Sequence, residues 1–102
     1  MSDAELAAER GEYLTRLQAT GTALAGLRAA LKREPRSAGV LDELRTVAHR
    51  TAGSAGLYGF AEVSAAAAQL EDSIIARRDG IDTDIEAVLT LIGREPAVAS
   101  CG

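Results

Sequence analysis

SAGVLDELRTVAHRTAGSAG, residues 37–56, is the stretch that decides the fold. Ser37 opens it as a plausible N-cap, and Val40, Leu41, Leu44, Val47, Ala48, Thr51 and Ala55 then recur at the three- and four-residue intervals that make one apolar stripe on an α-helix. Strand-like alternation is absent. A helix from about Ala38 to Ala55 follows, with Gly56 and Gly59 as the turn residues that end it. A helix with a single stripe has to bury it against other helices, so the flanking sequence should supply partners.

It does so on both sides. Leu14, Leu17, Leu24, Leu27 and Leu31 mark a long amphipathic helix from Glu12 to about Arg33, which Pro35 stops. Ahead of it, Ser2 and Glu5 form a capping-box pattern for a short acidic helix that either ends near Gly11 or runs on into the next segment; a short extra N-terminal helix is the adopted reading. Downstream, Phe60, Val63, Ala67, Leu70 and Ile74 define a third helix to Arg78, with Arg77 and Arg78 in its last turn and Gly80 just past its end. Thr83 and Glu86 form a second capping box, opening a fourth helix with Ile85, Val88, Leu89 and Ile92 before Gly93 and Pro96. The expected fold class is all-α: an up-and-down antiparallel four-helix bundle with that extra N-terminal helix, in one domain of 102 residues with its core over about 12–93 and a frayed tail over 94–102.

Composition agrees. Alanine and leucine supply 33 of the 102 residues, against two tyrosines, one phenylalanine and no tryptophan, so helix formers far outnumber strand formers. A formal charge of −4 without a basic block argues against nucleic acid or an acidic membrane as partner. The first ten residues carry three acids and no apolar core of a signal peptide, and no apolar run reaches the length of a membrane span, so a cytoplasmic protein is expected. Cys101 is the only cysteine, which excludes an internal disulfide. One histidine, a terminal thiol and no paired carboxylates at ligand spacing offer no metal site, and neither a nucleophile elbow nor an ATP-binding signature is present. No cofactor of its own is expected.

Function concentrates on His49, the only histidine. On a wheel of about 100° per residue it lies roughly 140° from Leu44, toward solvent. Arg45, Ala52, Gly53 and Gly56 share its face, so the imidazole stands over a surface nearly bare of side chains. Glycine inside a helix costs about 0.5–1 kcal/mol relative to alanine, and close approach of another protein is a common reason to keep one, which makes Ala52, Gly53 and Gly56 a candidate docking patch. On the third helix Glu71 falls within the stripe bounded by Ser64, Leu70, Ile74 and Ile75, where a carboxylate wants a partner. Two partners are open: an arginine in a structural ion pair, or His49, whose Nδ1 proton Glu71 would accept to leave Nε2 as a free nucleophile.

Residues His49-Arg50-Thr51-Ala52-Gly53, followed by Gly59, together with Gln69-Leu70-Glu71, resemble the H-x-[hydrophobic]-K-G-x-x-x-x-x-G and Q-L-E motifs of histidine-containing phosphotransfer (HPt) domains. The resemblance spans about Leu41 to Glu71 at motif level, and length and helix order agree with that family's four-helix bundle. It implies a phosphoryl carrier in a two-component phosphorelay, without kinase activity. His49 would be the phosphoacceptor, and Glu71, 22 positions on, the hydrogen-bond partner of its ring. A response-regulator receiver domain or a hybrid sensor histidine kinase would be the partner, Mg²⁺ would sit in the receiver, and the carrier would act as a monomer. The family's lysine three residues after the histidine is Ala52 here, so Arg45, or secondarily Arg50, is the candidate to supply the missing charge to the phosphoryl group. Two other readings compete: an HPt-like protein that docks on a receiver or kinase without being phosphorylated, and a purely structural bundle whose glycine face packs on another helix.

Overall fold

A computed structural model describes residues 2–95; Met1 and 96–102, which include Pro96 and Cys101, lie outside the described residues. Four helices follow one another: α1 (Asp3–Arg33), α2 (Ala38–Leu57), α3 (Ala61–Ile75) and α4 (Ile81–Arg94). Each packs on its neighbour in sequence and α4 closes on α1, while the diagonal pairs lie farther apart, which is an up-and-down bundle. Links of three to five residues make each helix antiparallel to the one before it. The core is mainly aliphatic, with Tyr13 and Phe60 at one end: Leu14, Leu17 and Leu24 from α1, Leu44 and Ala55 from α2, Val63 and Leu70 from α3, and Ile85, Val88 and Ile92 from α4 are all buried. Each fully buried leucine, isoleucine or valine contributes about 1.5–3 kcal/mol relative to exposure, which is what orders the bundle. Gly21 faces α4, and a Cβ there would meet Ile92 at 3.6 Å, an ordinary packing distance.

No separate N-terminal helix exists. The Ser2/Glu5 capping box is formed, but the helix it starts runs unbroken through Gly11 for 31 residues. At 1.5 Å per residue that is about 46 Å, the full 46 Å length of the molecule. The physical reason is on either side of Gly11. Tyr13, Leu14 and Leu17 are buried one turn later, and Arg10 places its guanidinium 4.3 Å from the Phe60 ring centre while its Nε donates to the Tyr58 carbonyl at 3.1 Å. These contacts offset the small cost of one helical glycine.

The turns differ in part from expectation. α2 ends two residues later than expected, at Leu57, in a Schellman arrangement: Phe60 N–H donates to Ala55 O, Gly59 N–H to Gly56 O, and Gly59 takes the left-handed φ of +85°. Gly59 is thus the turn residue, whereas Gly56 is inside the last turn of the helix. α3 stops at Ile75 with the same motif, Arg78 N–H to Ser73 O and Arg77 N–H to Ile74 O, but the left-handed position, φ +54°, belongs to Arg77 and not to Gly80. Gly80 is instead the N-cap of α4. The Thr83/Glu86 capping box does not form. α4 begins two residues earlier, at Ile81, because Arg28 on α1 draws Asp82 (2.8 Å) and Glu86 into an ion-pair cluster, and it runs on past Ile92 to Arg94. That guanidinium holds the Asp82 carboxyl below its ordinary value of 3.8.

Candidate functional site

His49 sits three turns into α2 with 74% of its side chain exposed. Its Nδ1 lies 2.9 Å from Oε2 of Glu71 on α3, a carboxylate only 18% exposed. A carboxylate accepts, so Nδ1 carries the proton and donates it, and the Nε2 lone pair is left facing solvent. The wheel reading and the structure therefore agree: of the two partners open to Glu71, it has the histidine.

The contact depends on how close two helices come. Ser64 Oγ donates to the carbonyl of Ala52 at 2.5 Å, and a Cβ built on Gly56 would stand only 3.3 Å from that same Oγ. Small residues, among them Ala52, Gly56 and Ser64, line this seam. Counting along the antiparallel pair, Gly56 and His49 are seven residues apart, and so are Ser64 and Glu71. Seven residues are about two helical turns, so each pair stacks on one face and the seam carries two rungs. Gly56 against Ser64 is the upper rung, and His49 against Glu71 the lower. Gly56 is thus a packing residue of the chain itself.

Gly53 is different. Nothing lies within 4 Å of a Cβ placed on it, so it leaves the ground beside the imidazole open. Ala52, at the position of the family lysine, is half-buried with its carbonyl engaged by Ser64. Arg45, one turn before the histidine, is half-exposed and makes only a loose 3.8 Å pair with Asp42. Arg50 turns the other way, into a groove between α1 and α2 that it lines with Tyr13, Arg16, Thr20 and Leu57. So His49, Glu71, Arg45 and Gly53 share one surface, and Arg50 stands at its edge. Two exposed apolar side chains flank it, Leu57 at the end of α2 (85% exposed) and Ile75 at the end of α3 (59%). Ile75 is accordingly not part of the buried stripe it was expected to bound. Leu57 was not singled out from sequence; it lies about 80° from His49 on the α2 wheel, which was the available signal. Among the described residues no group of three or more His, Cys, Asp or Glu is placed to hold a metal ion. No helix among them is long and apolar enough to cross a membrane.

Comparison with known proteins gives one match. The profile of the Hpt domain family matches residues 6–95, nine-tenths of the chain and all four helices but for the first turn of α1 and the last residues of the tail. No curated protein and no solved structure is matched. A motif at 49–53, a ring held from 22 residues downstream, a four-helix bundle and a family profile over nearly its whole length all agree: the chain belongs to the Hpt domain family.

Proposed function

We propose that His49 is the phosphoacceptor of a phosphorelay carrier, exchanging a phosphoryl group with the aspartate of a response-regulator receiver domain or of a hybrid sensor kinase. Histidine phosphotransfer in phosphorelays is the general activity of the family. The observation that carries the assignment is the 2.9 Å contact between His49 Nδ1 and Glu71 on an otherwise open ring. It fixes the proton on one nitrogen and leaves the other as a nucleophile that a partner can reach.

The chemistry balances without a further reactant. The Nε2 lone pair attacks the phosphorus of an aspartyl phosphate; the N–P bond forms as the P–O bond to the aspartate breaks, and that electron pair leaves with the carboxylate. The ring then holds the phosphoryl group on Nε2 and its proton on Nδ1, and the Glu71 carboxylate offsets the positive charge this creates. Reversal passes the group on. Bound in the receiver, Mg²⁺ would offset charge on the phosphoryl oxygens. On this side, Arg45 is the cation in position to do so: it shares the face of His49 and its pair with Asp42 is loose. Arg50, facing the α1–α2 groove, is assigned elsewhere.

Transfer of label from a phosphorylated receiver domain to this protein and to His49→Gln tests the reading. Acid-labile, alkali-stable label that is lost in the variant is the expected result. Stable binding of a receiver with no label transferred would favour the docking protein that Ala52, in place of lysine, keeps in view.

A further inference from the structure

The groove between α1 and α2 lies beside the His49 surface, and its chemistry is unlike the rest of the chain. It encloses about 400 Å³ and has no Asp or Glu in its lining, in a protein with 15 acidic and 11 basic residues. Its floor is a parallel stack of Tyr13 on Tyr58, ring centres 4.3 Å apart. Arg16 and Arg50 stand on its rim with Leu57. Neither guanidinium has a carboxylate partner among the described residues, whereas Arg28 and Arg45 do.

The hydroxyls of Tyr13 and Ser54 are already used. Ser54 donates to the Arg50 carbonyl at 2.9 Å, and the Tyr13 hydroxyl donates to Ser54 Oγ at 2.7 Å. What the groove still offers is therefore chiefly the N–H donors of two arginines, the Tyr58 hydroxyl and the apolar surface of Leu57. Arg16 is held in place by the aromatic floor, 5.4 Å from the Tyr13 ring centre and 5.9 Å from that of Tyr58, which reduces the entropy lost when it binds. A guanidinium fork fits a carboxylate with two parallel hydrogen bonds. Because Arg50 follows His49 directly, about 100° around the helix, a protein seated on the imidazole also covers this rim.

We propose that the α1–α2 groove is a second docking contact, in which Arg16 and Arg50 bind carboxylates of an acidic segment of the receiver partner while Leu57 packs on its apolar neighbour. The inference rests on the reading of His49 as a carrier of phosphoryl groups for receivers, and it separates partner choice from chemistry. The groove selects the receiver by charge; His49, Glu71 and Arg45 conduct the transfer.

The test uses the full chain, first labelled on His49 with the small donor phosphoramidate, then offered to a panel of purified receiver domains; the receiver that takes the label is used to measure Kd. Arg16→Glu is expected to label at the wild-type rate, since a small donor needs no docking. Its Kd should rise about ten-fold or more near 50 mM salt and converge on wild type near 500 mM, because charge pairs at a rim are screened. Arg16→Glu/Arg50→Glu should lose more, and Leu57→Ser should weaken binding equally at both salts. A Kd for Arg16→Glu within about two-fold of wild type at low salt, with labelling intact, overturns the proposal. Absence of any label on the wild-type protein, from phosphoramidate and from receivers alike, is a different failure: it removes the carrier reading and this inference with it.

Discussion

Replacing Glu71 by alanine removes the one side chain that hydrogen-bonds the His49 ring among the described residues, and the structure sets the size of the effect. A hydrogen bond to a charged group contributes about 1.5–3 kcal/mol when water is excluded. Here the imidazole is 74% exposed, so water replaces part of what is lost, and about 1 kcal/mol is a fair allowance. At about 1.4 kcal/mol per factor of ten, that is roughly a five-fold slower attack by Nε2. Glu71→Gln should stay within about two-fold of wild type, because the amide oxygen still accepts from Nδ1–H at the same place. Stability should not fall in the alanine variant: no other side chain is paired with Glu71 among the described residues, and alanine is the better helix former. The assay is the first-order rate of phosphoramidate labelling, with urea unfolding of each variant as the control for fold. Wild-type rates in Glu71→Ala would refute the idea that the contact orients the ring. If Glu71→Gln is as slow as the alanine variant, the negative charge and not the hydrogen bond is the operative property.

Four other outcomes are expected. Gly53→Ala should raise stability by about 0.5–1 kcal/mol in urea melts, since its Cβ meets nothing, while Gly53→Trp should leave phosphoramidate labelling intact and block transfer to a receiver. Arg45→Ala should shorten the lifetime of phosphohistidine, or slow transfer, by about two- to three-fold at unchanged stability, as expected for an exposed charge. The two left-handed turn residues should respond in opposite directions: Arg77→Gly should stabilise the bundle and Gly59→Ala destabilise it, each by about 1 kcal/mol, read from denaturant midpoints. For Asp82, a carboxyl whose folded value is lowered contributes stability above its ordinary value and loses it as pH falls through the folded one. Wild type should therefore be the more stable of the pair with Asp82→Asn at pH 7, and the two midpoints should converge as pH falls below the ordinary value of 3.8 and through the lowered one.

Much of this was legible in the sequence, and the misses share a cause. Ser37, Pro35 and the leucine spacing located α1 and α2 because those signals act within a turn or two of themselves. The capping box at Thr83 and Glu86 was a sound local signal that lost to a distant one, the guanidinium of Arg28, 58 residues away from Glu86. Arg77 in a left-handed turn was invisible because its residue type argues against that conformation, which the chain adopts just past the buried Ser73 and Ile74. At the site, His49 and Glu71 stood out separately, each being an odd residue for its face. Their meeting followed from the rotation of two helices, which the Gly56–Ser64 approach sets and which no single-helix wheel contains. The direction of Arg50 was on the wheel; the unpaired state of Arg16 and the exposure of Leu57 needed the neighbours.

The matched seven-residue intervals in α2 and α3 bear on which genetic changes this chain can survive. A point substitution leaves both intervals intact, so position 52 can hold alanine where the family has lysine and the histidine still meets its carboxylate. One codon inserted between 49 and 56 is another matter, because it turns everything on one side of it by about 100° and shifts it about 1.5 Å. With Gly56 still locked under Ser64, the imidazole would swing off Glu71, and no change of side chain at another position could bring it back. Drift in letters is cheap along this seam, while drift in length is forbidden there.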